Sequence, residues 1–389
     1  MNIPRKLIAL LLCALALLPA RAIPVSSRDE YHHTAEEHLP TTSLDIATSA
    51  GSAVILDASG PHIRTLWAQN ADKRRGPAST TKIMTALVAA ESMPLSAKVS
   101  IPKEAVGIEG SSVYLTEGEI FTLEELLCCT LLESANDAAT AVAIAVSGSI
   151  EDFAVLMNEK CAELGLVDTH FTNPHGLDDD EHYTTARELG IIAAAALEND
   201  ALRKIFSTYK MTVAAPDGGV RLLINHNRLL KSIEGCIGVK TGYTKSNGRC
   251  LVSAAERNGL RLIAVTLDDG NDWHDHTEML EAGFEAYERV ELCEYTGIEL
   301  PTITVIDGEQ SLVRTAFAHK AYITLPRSGA KIDYRIESVP SLPAPVSRGQ
   351  MAGDIIFTCG GKELARIPIV TAYEAAKKKE KGFFERLFS

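Results

Sequence analysis

Several common chemistries leave no trace in this chain, and their absence narrows its function before any positive motif is considered. It contains no glycine-rich loop of the kind that cradles nucleotide phosphates, and no segment repeats. Its 11 histidines include no H-E-x-x-H, so the helix-borne zinc signature is missing. A polar cluster on one loop, His170, Asp178, Asp179, Asp180 and His182, reads as a solvated loop, and neither a metal nor a cofactor is assigned. The cysteines form no C-x-x-C pair; Cys128 and Cys129 sit in the apolar stretch Leu126 to Leu132 and read as buried free thiols. Basic residues are the scarcer charge, 38 against 51 acidic, and the net charge of −13 argues against nucleic acid as a partner.

Long apolar runs are also scarce, and the N-terminal one sets the compartment. Arg5 and Lys6 precede Leu7 to Leu18, and the run ends in Ala20-Arg21-Ala22, the pattern of a secretory signal peptide over residues 1–22. The run is too short to favour a stable span, and Leu12 before Cys13 does not fit a lipoprotein signal. The chain is therefore expected outside the cytoplasm, in the cell envelope. Cleavage would leave about 367 residues with a net charge of −16, a length that exceeds one core and predicts two domains. Residues 23–45 are polar and read as a flexible lead-in. Residues 46–290 mix helical and strand patterns. Residues 291–370 carry short apolar alternations such as Ile303-Thr304-Val305 and Ile355-Ile356-Phe357, interrupted by Pro340, Pro343 and Pro345, which predict a small all-β domain.

Three short motifs follow one another in the larger domain: Ser79-Thr80-Thr81-Lys82, Ser134-Ala135-Asn136 and Lys240-Thr241-Gly242. The pattern predicts strands at Ser52–Leu56 and Ile63–Gln69, then a helix from about Pro77–Ser79 to Glu91. Ser79 thus falls at a helix start, and Lys82 returns to the same face one turn later. A serine hydroxyl is a poor nucleophile until a base takes its proton, and lysine is a base only when neutral. Desolvation and a second cation lower a lysine pKa, and Lys240 is a candidate for that cation. The helix start also leaves the Ser79 N–H free to meet an oxyanion.

Ser134 and Asn136 sit between the helix predicted at Leu123–Leu132 and the Ala-rich stretch Asp137–Val146. A hydroxyl there can relay a proton to a leaving amine, and an amide can hold a substrate carbonyl. Lys240-Thr241-Gly242 precedes strands at Arg249–Ala255 and Leu260–Leu267, joined by an Asn258-Gly259 hairpin turn, so it lies at the edge of an antiparallel sheet. An edge strand can pair with an extended peptide, Gly242 allows close approach, and Lys240 with Thr241 suits a carboxylate.

From about Thr42 to Val370 the chain resembles the serine-type D-alanyl-D-alanine carboxypeptidases, the low-molecular-mass penicillin-binding proteins. Beyond the motifs, the resemblance includes Phe171-Thr172-Asn173-Pro174-His175-Gly176-Leu177 and Tyr183-Thr184-Thr185-Ala186-Arg187-Glu188-Leu189. It implies an α/β (α+β) transpeptidase domain of the penicillin-binding and β-lactamase type, with an antiparallel sheet and a helical subdomain, followed by the small all-β domain. It further implies that Ser79 is the acyl-ester nucleophile, Lys82 its proton acceptor and Ser134 a proton shuttle. Asn136 would position the substrate, Lys240 and Thr241 would hold its carboxylate, and the N–H groups of Ser79 and Tyr243 would form the oxyanion hole beside Gly242. The implied substrate is the peptidoglycan stem pentapeptide, with β-lactams as inhibitors.

Some members of that family bind the carboxylate with an arginine downstream of K-T-G. Asp268 to His276 contains none here, and His276 stands as a partial substitute. No E-x-x-L-N occurs between the second and third motifs, against a class A β-lactamase. Two further readings share the motifs: a muropeptide or β-lactam sensor that does not turn over, and a D,D-endopeptidase or β-lactamase on the same scaffold. Residues 371–389 end the chain with Lys377-Lys378-Lys379 and Lys381 ahead of Phe383, Phe384, Leu387 and Phe388, which suits a basic interfacial helix on anionic lipid.

Overall fold

The computed structural model describes residues 39–214, 218–295 and 297–379; the expected signal peptide and the apolar residues of the expected tail lie outside them. Ser52–Asp57 (β1) is buried at every position, as a strand covered on both faces must be, and Arg64–Gln69 (β2) pairs with it antiparallel. A 3₁₀ turn at Ala78–Thr81 runs straight into α1 (Lys82–Ser92). Lys98–Ser100 (β3) and Ile120–Thr122 (β4) form a short antiparallel pair.

Helices α2 (Leu123–Leu132), α3 (Asn136–Ser147), α4 (Ile150–Glu163), α5 (Ala186–Leu197) and α6 (Asp200–Ser207) follow. Their starts are encoded locally. Thr122 and Glu125 form a reciprocal capping box on α2, and Ser149, Thr185 and Asn199 cap α4, α5 and α6. Gly148, with φ of 91°, ends α3 in the left-handed conformation that glycine tolerates best.

Lys210–Ala214 (β5) and Val220–Ile224 (β6) form a hairpin beside the helices. Cys236–Thr244 (β7), Gly248–Arg257 (β8) and Leu260–Leu267 (β9) complete a five-stranded antiparallel sheet in the order β2-β1-β9-β8-β7, with β7 at its edge. Asn258 and Gly259 both have positive φ, as the two-residue β8–β9 turn demands. Alternate strand residues face opposite layers: Val54, Leu56, Val252 and Val265 pack on the helical half, whereas Ile55, Leu251 and Leu262 pack on α7 (Asp272–Ala286).

Tyr287–Glu291 (β10) opens the C-terminal part, which continues through Thr302–Ile306 (β11), Leu312–Phe317 (β12), Tyr322–Pro326 (β13), Ile332–Ser338 (β14), Ser341–Pro343 (β15), Met351–Cys359 (β16) and Lys362–Thr371 (β17). A six-stranded sheet runs β14-β16-β17-β12-β11-β15, and β10 pairs with β13. The described residues thus form an α/β part built around the five-stranded antiparallel sheet, followed by a β-rich part.

Three expectations need adjustment. The boundary near residue 290 falls inside β10, because α7 passes into that strand without a linker. The lead-in is ordered over its described part: Tyr287 Oη accepts from Thr42 N and donates to Thr42 O, Arg64 donates to Pro40 O at 2.7 Å, and Leu39 and Leu44 pack on the domains. The β domain also extends past residue 370, since Ala375 pairs with Val346 and Lys378 N donates to Asp307 O. All seven cysteines among the described residues are free, and burial pushes the thiols of Cys128, Cys161 and Cys250 up to about 12.

Candidate active site

A cleft of about 880 Å³ opens between the helical half and the edge strand, lined by Ser79, Ser111, Ser134, Thr241, Gly242 and Tyr243 among others. The three motifs, the first and last of which are 158 positions apart from Lys82 to Lys240, meet there. Ser79 stands in the 3₁₀ turn, which Thr80 and Thr81 brace by donating side-chain hydrogen bonds to Pro77 O and Ala78 O at 2.6 and 2.8 Å. Lys82 Nζ lies 3.1 Å from Ser79 Oγ.

The rest of the Lys82 environment decides what that contact means. Nζ also lies 2.7 Å from Asn136 Oδ1 and 2.6 Å from the carbonyl of His175, and the side chain is fully buried. Burial, reinforced by the positive charge of Lys240 and opposed by Asp137, holds the Lys82 pKa well below that of a free lysine. Two of the three oxygens around Nζ can only accept. A neutral amine donates its two hydrogens to them, so its lone pair faces the one partner able to donate, the Ser79 hydroxyl.

Asn136 is the first residue of α3, and both ends of its amide are engaged within the protein: Oδ1 accepts from Lys82, and Nδ2 donates to Glu109 O at 2.6 Å. The sequence reading aims this amide at substrate; the structure gives it a hold on Lys82, with one acceptor site and one donor hydrogen of the amide beyond these two bonds. Ser134, in the link between α2 and α3, lines the cleft with a φ of 59°, a backbone conformation that costs a non-glycine residue energy and is concentrated at functional sites. Lys240 lies behind the cleft wall, 2% exposed, donating to Thr241 O at 2.8 Å; burial lowers its pKa to about 7 against the opposing pull of Glu133. Thr241, Gly242 and Tyr243 form the surface that lines the cleft. A Cβ on Gly242 would stand 3.0 Å from Ser79 N, so glycine lets β7 lie against the serine turn.

Sequence reasoning did not anticipate the supports. The Phe171–Leu177 segment places the His175 carbonyl on Lys82 and Gly176 against Ala78. In the loop expected to be solvated, Asp178, Asp179 and Asp180 are exposed, with Asp178 accepting from Asn247, whereas His182 is buried, its Nε2 2.8 Å from Thr81 Oγ1. Burial lowers His175 and His182 to about 3 and 4, so both are neutral near pH 7. His276, the expected stand-in for a carboxylate-binding arginine, is fully buried beside Thr266 under the sheet and does not line the cleft. The cues to these supports were the family resemblance of Phe171 to Leu177 and the clustering of Gly, Pro, Asn and His there.

One wall of the cleft hangs on Asp137. Its carboxylate accepts from Ser112 Oγ, Val113 N and Leu115 N, and Asn136 N donates to Ser111 O. Asp137→Ala should lower stability by about 3 kcal/mol, since it strands several buried donors. Urea unfolding checks this, and a change under 1 kcal/mol would show that the loop does not depend on the carboxylate.

Comparison with known proteins gives a consistent result. Residues 36–271 match a family described as D-alanyl-D-alanine carboxypeptidase, and residues 295–377 match the penicillin-binding protein 5 C-terminal domain. The chain is 32% identical over 344 residues to the D-alanyl-D-alanine carboxypeptidase DacF of Bacillus subtilis, covering 86% of this chain and 87% of that protein. It is 31% identical to DacC of Escherichia coli, covering 91% and 89%. The crystal structure of penicillin binding protein 5 from Haemophilus influenzae superimposes with a TM-score of 0.66 at 27% identity, covering 86% of this chain and all of that one.

Proposed function

We propose, for a chain that belongs to the D-alanyl-D-alanine carboxypeptidase family, that Ser79 is the acyl-ester nucleophile and Lys82 the base that activates it. The protein is a serine-type carboxypeptidase of the penicillin-binding class, and its family works on cell-envelope peptidoglycan. The observation that carries the residue roles is the Lys82 amine, buried, held by two carbonyl oxygens and directed at Ser79 Oγ.

In this reading Lys82 takes the hydroxyl proton as Ser79 Oγ attacks the carbonyl carbon of the penultimate D-alanine. The N–H groups of Ser79 and Tyr243 receive the oxyanion. Ser134 relays that proton from Lys82 to the departing nitrogen, the C–N bond breaks, D-alanine leaves and Lys82 is neutral again. Water, deprotonated through the same base, then attacks the ester carbonyl and returns Ser79. Asn136 keeps Lys82 in place, Lys240 supplies positive potential, and β7 offers the extended peptide its free edge. A β-lactam ring presents the same carbonyl to Ser79, but its leaving group stays attached to the acyl-enzyme.

The substrate is the stem pentapeptide of peptidoglycan. Residues 1–22 direct export, and the basic and aromatic tail rests on the outer face of the cytoplasmic membrane, which accounts for four large apolar residues beside a lysine run.

Purified protein lacking residues 1–22 should release D-alanine from diacetyl-Lys-D-Ala-D-Ala, and stoichiometric benzylpenicillin should abolish the release. Penicillin labelling without D-alanine release would replace this reading with a sensor.

A further inference from the structure

The turn between β8 and β9 meets the start of the β-rich part, and a second cavity, of about 270 Å³, opens where they join. Three arginines from three places in the fold line it: Arg257 at the end of β8, Arg289 in the middle of β10 and Arg327 just after β13. Arg257 stands seven residues along β8 from Cys250, the ladder partner of Gly242. The cavity is therefore roughly 23 Å from the serine turn and separate from the catalytic cleft.

Two of these arginines are engaged by the fold. Arg257 donates to both carboxylate oxygens of Glu281, at 2.7 and 2.6 Å, and to Glu234 O at 3.0 Å. Arg327 donates to Phe284 O and to Glu288, each at 3.1 Å. Arg289 makes neither a hydrogen bond nor an ion pair among the described residues; its guanidinium lies over the Tyr322 ring, 5.4 Å from the centre. Arg228, Arg314 and Arg348 also lack such bonds, but they are exposed, whereas Arg289 is half-buried. Burial lowers its pKa against the pull of Asp57, as for a cation that has given up water without gaining a counter-ion in contact. The ring covers one face of the guanidinium and leaves the in-plane N–H donors free.

The acids at the cavity do not fill this role. Glu288 is held by Arg327, and Glu285 is exposed at the rim with no ion pair to Arg289. One guanidinium fork saturates a carboxylate, whose two oxygens lie in one plane. A phosphate presents tetrahedral oxygens to donors that converge from several directions, as these three side chains do.

We propose that this cavity is a phosphate-binding site, in which Arg289 grips the anion and the spare donors of Arg257 and Arg327 complete the cage. The ligand is a phosphate group, free or carried as a diester by a larger molecule. Its occupation joins the β8–β9 turn to β10 and the end of β13, and so stiffens the junction between the two parts of the chain.

Isothermal titration calorimetry tests the site on protein lacking residues 1–22, in chloride at fixed ionic strength, with inorganic phosphate, dimethyl phosphate and acetate as probes. The net charge of the chain, −13, opposes unspecific binding of all three. Inorganic phosphate should bind with a Kd of about 1 mM or tighter, and acetate at least about tenfold more weakly. Arg289→Met, which keeps an apolar stem over Tyr322, should weaken phosphate binding at least about tenfold, and Arg289→Lys about threefold. Glu285→Gln should tighten it, since a like charge leaves the rim. Phosphate at about ten times its Kd should raise the thermal midpoint of the wild type by about 2–5 °C and leave that of Arg289→Met unmoved.

Dimethyl phosphate separates the sources: a site that takes it as well as inorganic phosphate serves a phosphodiester, and one that takes inorganic phosphate alone serves free phosphate or a terminal monoester. Binding of neither phosphate overturns the proposal, as does acetate binding as tightly as phosphate or an Arg289→Met protein of wild-type affinity. A Glu285→Gln protein that melts below the wild type and binds phosphate no better would make Glu285 the counter-ion of Arg289, and overturns it too. The titration makes no use of Ser79, so its outcome is independent of the carboxypeptidase reading.

Discussion

Lys82→Met should slow acylation of Ser79 at least about a thousandfold while the protein still folds, because in the proposed mechanism it removes the base, which lies 3.1 Å from the hydroxyl, and leaves the aliphatic volume nearly unchanged. The side chain is fully buried, so its charged form is disfavoured in the native state. Its loss removes a desolvated amine at the expense of two acceptors, Asn136 Oδ1 and the His175 carbonyl. Lys82→Arg sharpens the test, since arginine retains the donors but never gives up its proton. It should be as inactive as Lys82→Met.

The sign of the pH dependence follows from the same role. The amine must be neutral to accept a proton, so activity is absent below its pKa and appears as pH rises through it. Burial and the Lys240 charge lower that pKa, so the ascending limb of kcat/KM should have its midpoint well below the 10.5 of a free lysine. Labelling with a fluorescent penicillin as a function of pH measures the limb directly. A Lys82→Met protein labelled at the wild-type rate would remove Lys82 from the mechanism.

Gly176→Ala should damage both stability and activity, although residue 176 belongs to none of the three motifs. Gly176 has a φ of 82°, and an added Cβ would stand 1.9 Å from the carbonyl oxygen of Ala78 and 2.8 Å from Thr81 Oγ1. The first of these is backbone, which cannot swing aside as a long side chain would. Ala78 is itself held at a φ of 48°, immediately before Ser79. Relief of the clash must shift the serine turn or the His175 carbonyl that holds Lys82, and either movement spoils the 3.1 Å contact.

Unfolding free energy should fall by about 3 kcal/mol or more, and acylation by about a hundredfold or more, the scale set by displacing reacting groups by an ångström. Chemical denaturation and penicillin labelling of one preparation report the two effects together. A Gly176→Ala protein matching the wild type in both would mean that the segment can retreat without moving the site.

Local sequence carried much of the fold because its signals act over a few residues. Thr122 with Glu125 marks the start of α2, and the range Leu123–Leu132 read from periodicity is the helix observed. Asn258-Gly259 marks the β8–β9 turn in the same way. The lead-in and the start of the tail were misjudged because a polar composition hides backbone pairing. Thr42 against Tyr287 and Lys378 against Asp307 are contacts that no local pattern encodes.

The contact between Ser79 and Lys82 was likewise legible in short-range terms. A serine and a lysine one turn apart must share a helix face, so Ser79 and Lys82 could be paired from their spacing alone. Their surroundings could not. How far the Lys82 pKa falls depends on burial and on Lys240, 158 positions away, and the hold of Asn136 on that amine depends on Glu109. Spacing within one helical turn is a property of the chain, and the sequence by itself determined the chemistry available here. Desolvation, charge coupling and strand register are properties of surfaces brought together across the fold, and only the tertiary structure decided how that chemistry is poised.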